Sequence, residues 1–371
     1  MFRFLSAKKK ALIGLDIGSN VVKCLRLETG GEKPVVTHFA MVPMVPEAIV
    51  DGEIMDRELV IKAIRDCAEL ARVPDEPVAS AVSGRAVIVK KIVMDKMSQA
   101  DAKEAIFWEA EQHVPFDIDD ISLAFQILRE DVGANQMEVL LVAAKKDMIL
   151  SHADLIRDAG FKPAVIDVAS FANQNAWEFS RQASEQAATD APAGGDGAAA
   201  GGKAGEFVAL LDIGGGVTNV NIIRDGVPYF TRDLPIGTTH FIEEFQKQLG
   251  MTYETAQAVA QGRLEGVDAQ AVTELVRTVG ADIYHGLEPS LSYLRASGEA
   301  EGIDRIVLSG GGAKMPGLRD FLAGCYEVKA ELADPLAALD WSPDVFGDKD
   351  PAELSPLLAV SVGLALRKAV E

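Results

Sequence analysis

Two kinds of apolar pattern alternate along this chain. Short apolar runs bounded by glycine, proline or aspartate predict strands, and stripes at helical spacing predict amphipathic helices. Residues 11–45 read as a three-strand meander with Gly30-Gly31 at one turn. From Asp56 to Arg72, Leu59, Ile61, Ala63, Ile64, Ala68 and Leu70 fall close to helical spacing behind Asp56 as a candidate N-cap. Pro77–Ser83 is a short strand. The pattern then changes. A strand at Ala86–Met94 precedes a helix at Ser98–His113, capped by Ser98 with Asp101 and ended by Pro115. Strands at Ile121–Leu128 and Met137–Ala144 flank a turn at 131–135, and a helix at Lys146–Ala159 stops at Gly160. This βαββα unit is expected to be an inserted subdomain, because Lys162–Val168 resumes a strand suited to the first sheet.

A helix from Ala169 to about Arg181 leads into Ala187–Gly205, which has no periodicity and nothing to bury and reads as a flexible linker. The second half repeats the plan of the first. Strands start at Phe207, Val217 and Val227, with Asp225-Gly226 as a hairpin turn. Helices follow at Gly237–Leu249, Thr252–Gln261 and Ala269–Ala296, then a strand at Asp304–Leu308. The chain is loop-rich to Pro356, and a last helix, Leu357–Val370, carries the small residues Ala359, Gly363 and Ala365.

One stretch occurs twice. Leu15-Asp16-Ile17-Gly18-Ser19-Asn20 returns 196 residues later as Leu211-Asp212-Ile213-Gly214-Gly215-Gly216. Each copy closes an apolar run with an aspartate, turns on small residues and re-enters a second run, which predicts a β-hairpin. Small turn residues let backbone N–H groups approach an anion, and Gly18, Ser19, Asn20, Gly214, Gly215 and Gly216 are therefore candidate phosphate contacts. Asp16 and Asp212, just before the turns, are placed to meet a magnesium ion riding on that phosphate. Lys23 on the first returning strand and the Thr218 hydroxyl on the second complete the candidate grip. Ser309-Gly310-Gly311-Gly312 follows a buried strand; it reads as a place for the flat face of a base or as an ordinary strand-to-helix turn. Asp167, at the end of a strand, reads as a group orienting a water toward a terminal phosphate or as a carboxylate near a helix N-cap.

Charge and cysteine content narrow the functions. A formal net charge of −20 argues against nucleic acid and anionic lipid as partners. Cys24, Cys67 and Cys325 are far apart and show no metal or redox spacing, which suits a reducing cytoplasm. No apolar run is long enough to span a membrane. The basic start, Met1 to Lys10, reads as a frayed tail or a weak membrane or partner contact.

In their order, the three loops resemble the phosphate 1, phosphate 2 and adenosine motifs of the actin/Hsp70/sugar-kinase ATPase superfamily. Val165-Ile166-Asp167-Val168 with its helix is similar to connect 1, and Leu357–Leu366 to connect 2, where close helix crossing requires small residues. The insertion resembles subdomain 1C of FtsA. Met94-Asp95-Lys96-Met97-Ser98, the stretch Ala105-Ile106-Phe107-Trp108-Glu109 onward to Asp120, and the run Lys8 to Leu27 resemble the PilM family of type IV pilus assembly. The resemblance implies an α/β, two-lobed actin-like ATPase fold of duplicated ribonuclease-H-like lobes with an FtsA-type 1C insertion. Its subdomains would be 1A (1–85 and 161–186), 1C (86–160), 2A (206–236 and 303–371) and 2B (237–302), with the linker at 187–205.

It further implies ATP and Mg2+ between the lobes, with Gly310, Gly311 and Gly312 at the adenosine and Asp16 and Asp212 on the metal, partly through water. The implied role is a cytoplasmic scaffold that binds the N-terminal cytoplasmic tail of the inner-membrane protein PilN in a groove between 1A and 1C. Other pilus-machine proteins, the motor ATPases among them, are further implied partners, and membrane contact is expected only through partners. Two departures imply a lower nucleotide affinity or ribose contacts from elsewhere. Asn20 and Val21 stand where hydroxyl residues are usual, and Ala256-Gln257-Ala258-Val259-Ala260 lacks the carboxylate and lysine of the superfamily's ribose-contacting helix. At most a slow ATPase is expected, with Asp167 as the one candidate catalytic group. An FtsA-like filament former, which would carry an amphipathic C-terminal tail, and a small-molecule kinase are the alternatives on the same fold.

Overall fold

The computed structural model describes residues 12–190 and 205–367, apart from Glu32, Asp51, Ser297 and Glu299. The basic start, most of the expected linker and the end of the expected last helix lie outside the described residues.

The first half comprises β1 (Ile13–Ile17), β2 (Val21–Glu28), β3 (Val35–Pro43), β4 (Ile49–Val50), β5 (Glu53–Ile54), α1 (Arg57–Ala71) and β6 (Val78–Val82). It continues through β7 (Val87–Asp95), α2 (Gln99–His113), β8 (Ile121–Gly133), β9 (Gln136–Lys145), α3 (Lys146–Asp158), β10 (Pro163–Val168) and α4 (Ala169–Asp190). The second half comprises β11 (Phe207–Ile213), β12 (Thr218–Arg224), β13 (Val227–Leu234), α5 (Thr238–Leu249), α6 (Tyr253–Ala260) and α7 (Ala269–Ala296). Then come β14 (Arg305–Ser309), α8 (Leu318–Tyr326), β15 (Lys329–Leu332), β16 (Asp340–Trp341), α9 (Pro351–Leu354) and α10 (Ala359–Ala365).

Local chemistry accounts for several of these bounds. Asp56 caps α1 by accepting from the Leu59 amide at 3.1 Å, and Ser98 caps α2 by accepting from the Asp101 amide at 3.2 Å. The β8–β9 turn is tighter than the expected five residues. Ala134 and Asn135 both take left-handed φ, 53° and 58°, which makes a two-residue turn matched to strand twist, so β8 runs on to Gly133. Asp225 and Gly226, at 50° and 77°, turn β12 into β13 in the same way. Other features were not visible in the pattern. α4 extends to Asp190, four residues into the expected linker, the short β4 and β5 precede α1, and α8, β15, β16 and α9 lie in the expected loop region.

The two large sheets share one plan. The first runs β10-β6-β1-β2-β3-β16 and the second β13-β12-β11-β14-β15, each built on an antiparallel three-strand meander extended by parallel strands. A smaller sheet, β7-β9-β8, packs Ile92, Met94, Met137, Val139 and Leu141 against Ala102, Ile106 and Ala110 of α2. The expected βαββα unit thus divides: α3 gives Leu155, Ile156 and Ala159 to the core under α1 instead. The small sheet leans on the second lobe, where Lys91 Nζ lies 3.7 Å from the Tyr229 ring centroid and 3.2 Å from Glu138.

The chain after β15 also departs from the expected division, which kept 303–371 together. Leu336, Leu339, Phe346, Leu358 and Val362 pack on Leu25, Leu27, Val36 and Phe39 of the first sheet, and β16 adds to β3. Small residues are the reason. A Cβ at Gly363 would collide with the Ala172 carbonyl oxygen of α4, and one at Gly14 of β1 with the Ser361 carbonyl oxygen of α10. α4 in turn serves both lobes: Ala172 packs with Leu12 and Ala79, while Trp177 packs on Val208, Leu210 and Ile223. Asn221 of β12, fully buried, donates to the Ser170 carbonyl oxygen at 3.3 Å and to Gln174 Oε1 at 3.0 Å on that helix.

Gly363→Ala is expected to destabilise the protein by roughly 3 kcal/mol or more, because backbone cannot retreat as a side chain can. Gly324→Ala in α8, where a Cβ meets nothing, is expected to be neutral or slightly stabilising. Urea unfolding of the two variants checks the pair, and equal midpoints would refute the crossing argument.

Candidate functional site

The two duplicated hairpins have the same backbone. Gly18 N–H donates to the Val21 carbonyl oxygen at 3.1 Å, and Gly214 N–H to that of Val217 at 2.9 Å. Asp16 lies opposite Lys23 in one register and Asp212 opposite Asn219 in the other. The second turn is anchored by its carbonyls, since Thr238 N–H donates to Gly214 and Thr239 N–H to Gly215, both at 2.9 Å. A trans peptide holds its N–H on the side away from its carbonyl, so the amides of Gly215 and Gly216 point away from α5. The Asn20 carbonyl oxygen is likewise bound, by Met44 N–H at 2.9 Å. Such fixed, outward amides suit an anion.

The charged groups sit beside these turns. Lys23 Nζ meets Asp16 Oδ2 at 2.7 Å, with both side chains largely buried. Burial alone would depress the Lys23 ammonium, but the Asp16 carboxylate, with Asp212 behind it, holds its pKa above the usual lysine value. Asp212 Oδ1 accepts from Ser309 Oγ at 3.1 Å. Burial, against the attraction of Lys23 and reinforced by Asp16, pushes the Asp212 carboxyl up to about 6. Among the described residues no three His, Cys, Asp or Glu side chains converge as a ready metal cage. Two carboxylates beside phosphate-type turns nevertheless fit magnesium, which takes few protein ligands and completes its shell with phosphate and water oxygens.

The third loop presses on the second hairpin. Gly310 has φ 82° and ψ 179°, and a Cβ there would lie 2.5 Å from the Ile213 carbonyl oxygen and 2.6 Å from Asp212 Oδ1. Gly312 has no room for a Cβ against Ile213, whereas Gly311 faces open space. Next to the loop is a cavity of about 340 Å³, lined among others by Gln261, Gly262, Lys314, Pro316 and Glu353. Its position at the end of α6 puts Gln261, rather than Gln257 or Ala260, on its wall.

Two of the sequence candidates are engaged elsewhere. The Thr218 side chain is fully buried and its hydroxyl donates to the Ile236 carbonyl oxygen at 2.6 Å, tying β12 to the loop before α5. Asp167 Oδ2 accepts from Arg367 Nε at 2.5 Å, and Oδ1 accepts from the Val168 amide at 2.9 Å. Sequence reasoning missed Gly237 and Thr238, which it read only as a helix start. A Cβ at Gly237 would collide with the Gly215 carbonyl oxygen, so α5 begins directly against the second turn. A Gly-Thr-Thr helix opening is the signal that marked it.

A family model described as type IV pilus assembly protein PilM matches residues 14–369. The chain belongs to the PilM family. A solved PilM-PilN type IV pilus biogenesis complex contains a chain similar to this one, with 25% identity and a TM-score of 0.78 over 97% of this chain and 98% of that one. More distant likenesses show the fold. MreB5 of Spiroplasma citri bound to AMPPNP gives a TM-score of 0.52 at 12% identity, covering 96% of this chain and 95% of that one. The ethanolamine utilization protein EutJ of Carboxydothermus hydrogenoformans gives 0.50 at 15% identity, covering 97% and 90%. The two lobes of this PilM-family chain are therefore those of an actin-like ATPase fold.

The raised Asp212 pKa makes a stability prediction. The folded protein holds the Asp212 proton more tightly than the unfolded chain, so this group's contribution falls as pH rises from the usual carboxylate value through about 6. Asp212→Asn removes that loss and is expected to raise stability at neutral pH by roughly 1–3 kcal/mol. Thermal unfolding of both proteins across that range checks it; a constant difference between the two curves would refute it.

Proposed function

We propose that this chain is an ATP-binding scaffold of the type IV pilus assembly platform that captures the N-terminal cytoplasmic tail of PilN. The observation that carries the partner is the likeness to the chain in the PilM-PilN complex, which spans nearly all of both proteins. Paired glycine turns with Asp16, Lys23 and Asp212 between them support nucleotide phosphates with magnesium, Gly311 and the adjoining cavity support the adenosine, and ATP serves as a ligand that sets the lobe arrangement. Slow turnover follows from Asp167, whose carboxylate is bound by Arg367. Among the described residues no helix is long and apolar enough to cross a membrane, which suits a protein held at the membrane by its partner.

The PilN tail is assigned to the junction of the first lobe with the small sheet, the expected groove between subdomains 1A and 1C. Near it, on the first-lobe side, where α3 leaves β9 of the small sheet, Arg57 ties the start of α1 to α3, donating to the Ser151 carbonyl oxygen at 3.5 Å and to Asp158 at 2.5 Å. Ile54 and Met55 just before Arg57, and Leu150 just before Ser151, are exposed apolar side chains. They offer a short peptide an apolar footing beside charge.

Two measurements test the reading separately. A synthetic PilN-tail peptide should bind the full chain, and Met55→Glu or Leu150→Glu should weaken it at least about tenfold, the loss expected for one buried apolar anchor. No peptide binding with or without ATP would overturn the partner. Asp212→Ala should weaken ATP with magnesium, and equal affinities would remove Asp212 from the site.

A further inference from the structure

The two phosphate-type turns touch across the cleft, and the contact is made by one side chain. Asn20 Nδ2 donates to Thr238 Oγ1, at the start of α5 in the other lobe, at 3.1 Å. Its carboxamide lies flat on Gly215. A Cβ built at Gly215 would be 2.6 Å from Asn20 Cγ, 2.7 Å from Oδ1 and 2.9 Å from Nδ2. The backbone on both sides is held. Met44 N–H binds the Asn20 carbonyl oxygen, Thr239 N–H binds that of Gly215, and Gly237 packs on the Gly215 carbonyl. A second cross-lobe bond flanks this one. Gly84 N–H, between β6 and β7, donates to Asp233 Oδ2 at the end of β13, and Asp233 Oδ1 accepts from Asn219 Nδ2 at 2.7 Å. The Asn20 contact is therefore not the one polar bond between the lobes, and the Asp233 that takes part in the second lies in register with Asn219, which lies opposite Asp212.

We propose that Asn20 is an interlobe clasp and that a phosphate gripped by both turns takes its place. The competition is steric. The carboxamide is already in van der Waals contact with Gly215, and a phosphate oxygen cannot fit between them. Binding of a nucleotide between the turns must swing the Asn20 side chain away and break its bond to Thr238. The clasp thus subtracts from nucleotide affinity and couples phosphate binding to the lobe angle. The residue also explains why Gly215 has no side chain: alanine there would expel the carboxamide. The competition rests on the nucleotide reading proposed above; the clasp itself does not.

The test uses the full chain and two readouts. Amide hydrogen exchange without nucleotide follows the start of α5 and the second turn. Calorimetry follows binding of ATP with magnesium. In Asn20→Ala, exchange at Thr238, Thr239 and Gly216 should rise, and affinity should increase about fivefold, the worth of one net hydrogen bond. Thr238→Val, which keeps the shape of the acceptor residue, should move both readouts in the same direction by less. Unchanged exchange in both variants would overturn the clasp. A fall in ATP affinity in Asn20→Ala would overturn the competition, because the carboxamide would then be serving the phosphate. If ATP binds neither the unaltered protein nor the variants, the nucleotide reading fails, and the exchange data alone decide the clasp.

Discussion

The lobes meet over a lysine ammonium that answers to carboxylates from both sides. Asp16 and Lys23 come from the first hairpin and Asp212 from the second, and all three are withdrawn from water. Buried charges are tolerated only when paired, and removing one partner costs several kcal/mol. Burial is the main cause of the raised Asp212 pKa, and the second carboxylate, Asp16, adds to it against the pull of Lys23, so two carboxylates share one ammonium. That imbalance makes the floor of the cleft a place where a further cation is welcome and a bare anion is not. The glycine turns, which favour anions, lie immediately beside it. A magnesium-bearing phosphate satisfies both demands at once, whereas either ion alone satisfies one.

Much of this was legible in the sequence because it was written twice. The Asp-Ile-Gly repeat predicted two equivalent hairpins, and Gly18 and Gly214 make the same hydrogen bond 196 residues apart. Asp56 and Ser98 predicted helix starts through chemistry that is local to a few residues. The long-range partners were not legible. Nothing local distinguishes Thr218, which faces inward, from a hydroxyl turned toward a ligand, since that depends on where Ile236 comes to lie. Asp167 was visible as a strand-end carboxylate, but its partner, Arg367, is 200 residues away. The return of the chain to the first sheet was hidden for the same reason. The small residues of α10 announced a close crossing without saying which helix they would cross.

Membership of the PilM family gives the small sheet its significance. It is an addition to an actin-like plan, and its core, between α2 and β7–β9, is complete without help from either lobe. A unit with its own core can tilt as a body. Its attachments among the described residues include the strand ends at β7 and β9, Lys146 of α3 donating to the Asp119 carbonyl oxygen, and Lys91 above the Tyr229 ring of the opposite lobe.

The chain leaves the first lobe after α4, builds the second, and crosses back before β16. At the first of these crossings lies α4, which rests on both lobes at once, through Ala172 on one and Trp177 on the other. Asn221 of the second lobe holds the same helix at Ser170 and Gln174. A change of lobe angle begun where Asn20 rests on Gly215 must therefore be absorbed along this one shared helix, so the two ends of α4 cannot both keep their contacts unaltered.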